Sequence, residues 1–308
     1  MSEVNRDDSR YIIRNYQLAD FARFVGLNAE AERLEPCGRA VSSTSISERL
    51  AWPHYSPERD LFIAELDGNS IAYLDTAPEP AIGRAVLDCW VHPLHRRKGL
   101  AGELLKLALK RAGEIGLKAL HVNIMESDKE AGQALSRLGF ECIRQYIELR
   151  LDMDRVAWQD IDPVSLGCHH LRSGEEDKLT DIQNRSFRDS WGYNPNPVET
   201  IIYHLNLTDH SPADVLLDYD GDIVTGYCWT TVTEDGKGRI EMIGTDPAYR
   251  GKGVGKRVLL CGLLHLKERG VDVTLLTVDS QNRSANALYD SIGFKTTAKS
   301  LWYEKKVG

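Results

Sequence analysis

The sequence predicts a mixed α/β chain built as two domains in tandem, each a mixed, largely antiparallel sheet flanked by helices. Three observations carry this. The segment VHPLHRRKGLAGELLKLALKRAGEIG at 91–116 returns as TDPAYRGKGVGKRVLLCGLLHLKERG at 245–270, an offset of 154 (247 − 93), and 11 of the 48 positions from Pro93 to Phe140 are identical without a gap. The length of 308 residues suits two domains of roughly 150. A repeat that long is a duplicated domain rather than a unit of a solenoid. Within each copy, short β-branched runs alternate with longer runs of helical period, the pattern of a layered α/β fold.

The elements of the second copy follow in order. Residues 168–172 suit a short strand. Ser173 followed by Glu176 has capping-box spacing and opens a helix over 174–187. DSWGYNPNP at 189–197 is a loop. The apolar runs 214–219 and 222–233, split by Asp220-Gly221, form a hairpin, and a strand over 239–245 follows a second turn. The glycine cluster at 251–255 leads into an apolar helix that stops at Gly270. A strand over 271–278, a helix from Ser284 to Ser291 and a final alternating strand complete the order β-α-α-β-β-β-α-β-α-β. The first copy gives the same order. AWQDIDPVSLGCHH reads as the junction, near 156–166, with domains at 1–158 and 165–308.

Composition excludes several classes. A hydrophobic fraction of 42% supports real cores, and no run approaches the ~18 apolar residues of a membrane span. The polar N-terminus MSEVNRDDSR lacks the apolar segment of a signal peptide. Net charge is −8 with no basic stripe, which argues against a nucleic-acid partner. The six cysteines contain no C-x-x-C pair and read as reduced thiols of a cytoplasmic protein. Cys168-His169-His170 lacks a second ligand cluster, so no metal site is expected.

The chemistry centres on RGKGVG at 250–255, after a strand and at the start of a helix. Unpaired backbone N–H groups at a helix N-terminus carry partial positive charge, and glycines let a phosphate approach closely. Arg250 and Lys252 add formal charge. A Walker A loop fails, because Arg257 follows Gly255-Lys256 and Arg250 stands five before Gly255. A Rossmann fingerprint fails at Lys256, where it needs glycine. The pattern that fits is Arg/Gln-x-x-Gly-x-Gly/Ala. With EMIGTDP before it and Asn-x-x-Ala-x-x-x-Tyr-x-x-x-Gly-Phe at 282–294, the chain resembles, twice over, the GNAT superfamily of acyl-CoA-dependent N-acetyltransferases.

That resemblance implies acetyl-CoA as co-substrate and a small-molecule primary amine as acceptor. The strand at 240–246 would splay from its neighbour and pair with pantetheine through the backbone of Ile243, Gly244 and Thr245. Arg250, Gly251, Lys252, Gly253, Val254, Gly255 and Lys256 would hold the pyrophosphate, and Asn282 the cofactor arm. A backbone N–H near Ile243 would serve as oxyanion donor. Glu241 is the candidate general base, expected by period two on the face of Ile243 and Thr245. Its competing reading is a partner of Arg239 or a solvated side chain. Tyr289 matches the family's general acid, against a packing tyrosine. Asp189, Trp191 and Tyr193 lie where the family recognises the acceptor.

The first copy keeps RRKGLA at 96–101, but Glu241, Asn282 and Tyr289 align with Leu87, Asp128 and Leu135, so it is expected to be non-catalytic. Asp88 is expected on the opposite strand face from Leu87 unless a bulge intervenes. The competing functions are an acyl-CoA sensor without turnover and an acetyltransferase acting on a protein amine. The tandem is expected to act as a monomer or homodimer, with no nucleic-acid or membrane partner.

Overall fold

A computed structural model describes residues 11–162 and 166–308. The expected N-terminal segment MSEVNRDDSR and part of the 156–166 junction lie outside the described residues. In the first repeat the elements are β1 (Ile12–Asn15), α1 (Phe21–Leu34), α2 (Ser43–Leu50), α3 (Pro57–Asp60), β2 (Leu61–Leu66), β3 (Asn69–Glu79), β4 (Arg84–Val91), α4 (Leu100–Glu114), β5 (Ala119–Met125), α5 (Lys129–Arg137) and β6 (Glu141–Asp152). In the second they are β7 (His169–His170), α6 (Glu176–Phe187), α7 (Val198–Leu205), β8 (Val215–Asp220), β9 (Ile223–Val232), β10 (Gly238–Thr245), α8 (Val254–Glu268), β11 (Val273–Asp279), α9 (Arg283–Ile292) and β12 (Lys295–Lys306). The offset legible over 93–140 extends much further in the structure. β2 and β8, β4 and β10, α4 and α8, β5 and β11, and β6 and β12 all begin and end 154 residues apart.

The chain forms two compact units. Among the described residues, one comprises 11–123, 136–141 and 304–308, and the other 124–135, 142–162 and 166–303. In the first unit β1 to β4 pair antiparallel in sequence order, and β4 pairs with β5 in parallel. In the second unit the strand order is β7-β8-β9-β10-β11-β6-β12. The antiparallel meander β7 to β10 leads to parallel β11, as expected for a strand–helix–strand crossover. β6, encoded in the first repeat, pairs antiparallel with β11 in seven positions, from Asp152 opposite Val273 to Tyr146 opposite Asp279.

Two clusters form the second unit's core. α8 turns Val258, Leu259, Leu263 and Leu266 onto one sheet face, against Cys228, Ile240, Leu276 and Leu149. α6 and α7 turn Leu179, Ile182 and Ile201 onto the other, against Tyr227 and Trp229. Each buried aliphatic contributes on the order of 1.5–3 kcal/mol. Among the described residues no helix is long and apolar enough to cross a membrane.

Two local expectations are corrected. Helix α6 starts at Glu176 after Glu175, whose carboxylate accepts from the Arg172 N–H at 3.0 Å, so Ser173 is not its cap. No side chain caps this helix; Glu176 and Asp177 place carboxylates in its first turn, where the helix dipole favours them. Cys168 and Cys261, read as free thiols, are joined by a disulfide with Cα atoms 6.4 Å apart. A separation of 93 residues left no spacing signal for that pair.

The burial of His204 on α7 gives a pH prediction. Desolvation, aided by His210, lowers its pKa to about 4. The unfolded chain takes up this proton below pH ~6.5 while the folded chain does not, so stability falls as pH drops from there towards 4. The expected slope from this group is about 1.4 kcal/mol per pH unit. Urea midpoints from pH 7 to 4 should fall more shallowly in His204→Gln.

Candidate active site

The site is built where β10 and β11 part. Their parallel pairing covers Gly238, Arg239 and Ile240 opposite Thr274, Leu275 and Leu276. β10 runs on to Thr245 and β11 to Asp279, but past Ile240 the register pairs of β10 are with β9 alone. Ile243, Gly244 and Thr245 therefore lie on the splayed stretch, with backbone groups turned to the gap. Gly244 is needed by close approach: a Cβ there would lie 2.6 Å from the Tyr227 ring and 2.8 Å from Ser186 Cβ.

Beyond β10, Asp246 caps a short 3-10 turn by accepting from the Ala248 N–H at 2.8 Å, and it pairs with Arg185 of α6. The glycine loop then delivers the N-terminus of the 15-residue helix α8. Gly253 sits at φ +84°, a left-handed conformation that side-chain-bearing residues resist. Gly251, Lys252, Gly253 and Lys256 are exposed and Gly255 is partly so, while Val254 is buried as the first core contact of α8. Lys252 Nζ stands 4.8 Å from the Tyr249 ring centre. Arg250 donates to the Ser186 carbonyl at 2.8 Å, tying the loop to α6. Arg257, one turn into α8, is held by buried Asp218 at 2.6 Å. A helix N-terminus with open glycines and two flanking lysines fits a pyrophosphate.

Glu241 corrects an expectation. The β9–β10 register shifts between Ile240 and Met242, so Glu241 is the extra residue of a β-bulge. Glu241 accepts from Thr231 Oγ1 at 2.8 Å and lies 3.7 Å from Arg239 Nε. Thr231 alternates with Trp229, which packs under α6 and α7 together with Met242, whereas Ile243 packs with the α8 cluster. Glu241 is thus on the opposite sheet face from Ile243 and Thr245. Its side chain remains 37% exposed.

Tyr289 sits on the other side of β10. It is 5% exposed, edge-on to Phe294 at 5.7 Å, and in one cluster with Ile243 and Cys228. Burial, with the nearby Cys228 thiol, raises the phenol pKa well above 10, so it is a protonated donor at neutral pH. Asn282 is the N-cap of α9, accepting from the Ala285 N–H at 3.1 Å. It caps the helix that carries Tyr289, about two turns before it.

The expected acceptor loop divides. Trp191 lies 6.3 Å from Tyr146 and 5.8 Å from Trp302, ring centre to ring centre. Tyr193 turns inward instead. It stacks on Phe187, donates to Asn184 at 2.8 Å, and burial pushes its pKa to about 12. Asp189 is exposed beside them. Sequence reasoning missed Tyr146 and Glu148, because β6 belongs to the first repeat in sequence and to the second unit in space. A separate cleft of about 450 Å3, walled by Ile147, Asn286, Phe294 and Lys295, does not include the glycine loop.

The corresponding residues of the first repeat are arranged differently. The β3–β4 register runs without a bulge from Ala72 opposite Val91 to Glu79 opposite Arg84. Leu87, aligned with Glu241, is buried, and Asp88 accepts from Tyr73 at 2.8 Å and pairs with Arg39 at 3.2 Å. Asp128 accepts from the Ala131 N–H at 2.9 Å, the same capping bond that Asn282 makes.

The profile of the acetyltransferase (GNAT) family matches residues 27–140 and again 177–294, and the chain belongs to that family as an N-acetyltransferase in tandem form. The layout is similar to that of mycothiol synthase. The mycothiol acetyltransferase of Amycolatopsis mediterranei is 26% identical over 93% of this chain and 95% of that protein. The one from Renibacterium salmoninarum is 30% identical over 78% and 72%. Among solved structures, a GCN5-related N-acetyltransferase from Sphaerobacter thermophilus superposes with TM-score 0.74 at 19% identity, covering 96% of each chain. A tandem GNAT protein from the clavulanic acid biosynthesis pathway gives 0.70 at 15% identity, over 97% and 99%.

Proposed function

We propose that the second repeat carries the active site of an acetyl-CoA-dependent N-acetyltransferase that moves an acetyl group directly to the primary amine of a small molecule. The observation that carries this reading is the splayed β10 edge, continuous with the glycine loop and flanked on its two faces by Glu241 and Tyr289. The relatives' names favour a mycothiol-type acceptor. The enzyme is placed in the cytoplasm, as a monomer or homodimer, with repeats at 1–158 and 165–308.

Arg250, Lys252, Lys256 and the backbone from Gly251 to Gly255 would hold the pyrophosphate, and Ile243, Gly244 and Thr245 the pantetheine through main-chain bonds. Asn282 would border the cofactor arm from the α9 cap. Acetyl-CoA supplies the activated acyl group. An alkyl amine has a pKa near ~10 and arrives as ammonium. Glu241, directly or through a water, removes a proton and frees the nitrogen lone pair. The C–N bond then forms at the thioester carbon, with charge on oxygen met by an N–H of the splayed strand near Ile243. The C–S bond breaks as Tyr289 protonates sulfur. Two protons leave the nitrogen; one ends on the thiol and the other passes to solvent through Glu241.

In the first repeat, buried Leu87 and half-buried Leu135 replace the two acid–base groups, and Asp88 is engaged by Arg39 and Tyr73. That supports a non-catalytic role for this copy. The decisive measurement is a calorimetric titration with acetyl-CoA. One site is expected, lost in Gly253→Glu and retained in Gly99→Glu. Absence of binding in the unaltered protein would overturn the reading.

A further inference from the structure

β6 has two unlike faces. Ile147, Leu149 and Leu151 enter the core with α8 and α9. The alternate positions carry Arg144, Tyr146 and Glu148 to the opposite face, where Glu241 also lies. Arg144 pairs with Asp279 at 2.6 Å and stands 5.6 Å from the Trp191 ring centre, so its charge is met within the sheet. Tyr146 lies 6.3 Å from both Trp191 and Trp302. Glu148 lies 3.9 Å from Arg239, and Arg239 lies 3.7 Å from Glu241. All these residues belong to the second unit. They form one strip, from Glu241 across Arg239 to Glu148 and on to the aromatic group at Tyr146.

We infer that Tyr146 and Glu148, supplied by the first repeat, determine acceptor specificity for the second. The inference rests on the reading of Glu241 as the group that receives the acceptor's proton. Arg239 between Glu148 and Glu241 leaves this end of the strip one negative charge in excess, which a primary ammonium neutralises. The aromatic end offers partly exposed ring surface to a flat, C–H-bearing face. Two residues along a strand span roughly 7 Å, so the acceptor selected is an ammonium attached within about that distance of a ring. An amino sugar and an arylalkylamine share this chemistry; a linear polyamine does not.

The test uses the full chain with saturating acetyl-CoA for transfer kinetics, and with CoA for binding by tryptophan fluorescence, since Trp191 and Trp302 flank the strip. The probes are glucosamine, phenethylamine and ethanolamine. One ring-bearing amine is expected to bind and react well ahead of ethanolamine, and which one does so separates the two sources. Glu148→Gln should raise that amine's Kd and KM at least about tenfold, with KM for acetyl-CoA within about twofold. Tyr146→Ala should abolish the preference over ethanolamine, and Tyr146→Phe should restore it; thermal midpoints report whether each variant is folded. Unchanged acceptor constants in folded Glu148→Gln and Tyr146→Ala, or no preference for a ring in the unaltered protein, overturn the inference. Binding that follows this pattern without transfer leaves recognition standing and sinks the role of Glu241. Transfer with unaltered specificity in the variants sinks this inference alone.

Discussion

Glu241→Gln is expected to lower kcat by about 10²–10⁴, the usual contribution of a positioned general base, with acetyl-CoA affinity unchanged. The substitution keeps the size of the side chain and its bond from Thr231, so the bulge should persist. What it removes is the capacity to accept a proton from an ammonium. The loss should be largest at neutral pH, where a free amine is scarce, and should shrink as pH approaches the acceptor's pKa near ~10. A rate within threefold of the unaltered enzyme across that range would show that the proton leaves by another route. Tyr289→Phe should give a smaller loss with good leaving groups, because the thiolate is stable enough to depart with only partial protonation.

The position of Glu241 shows where sequence reading succeeds and where it stops. Its place on the strand before the glycine loop was legible from the fixed offset and from the turn residues around it. Its face was not. Alternation assigns faces only while the ladder is regular, and a bulge adds one residue with no compositional signature. β3–β4 and β9–β10 have identical strand spacing after the shift, since Asp75 opposite Asp88 corresponds to Trp229 opposite Met242. The difference is absorbed nearer the hairpin turn. The glycine loop read correctly as a local feature, because conformational demand at Gly253 and helix initiation at Val254 are both short-range. For Tyr193 the sequence left two readings open, an acceptor contact or a loop packed on its own domain; its ring stacks on Phe187 and its hydroxyl donates to Asn184, a packing set by contacts within the folded unit. The strand character of β6 was visible in its alternation. Its partner was not, since pairing with β11 is decided by long-range packing.

That pairing leads to the prediction with the largest effect on the fold. A fragment of residues 165–308 contains the whole second repeat but lacks β6. It is expected to lose cooperative unfolding and acetyl-CoA binding together. Without β6, β11 loses seven register partners along its length from Val273 to Asp279. The α8 core loses Leu149, Leu151, Met153 and Val156, all buried. At roughly 1.5–3 kcal/mol each, these four side chains amount to about 6–12 kcal/mol, an upper range because the unfolded chain is not fully extended. Net domain stability is only about 5–15 kcal/mol, so the deficit is enough to unfold the fragment. A longer fragment beginning at Ile124 retains β6 and is expected to give a cooperative thermal transition by circular dichroism. Equal midpoints for the two fragments would mean that β6 adds little to the second unit. A lower or absent transition in the shorter one would mean that duplication has made the repeats interdependent. Repeat boundaries in sequence and compact units in space then differ by one strand, and that strand carries both core residues and the aromatic end of the acceptor strip.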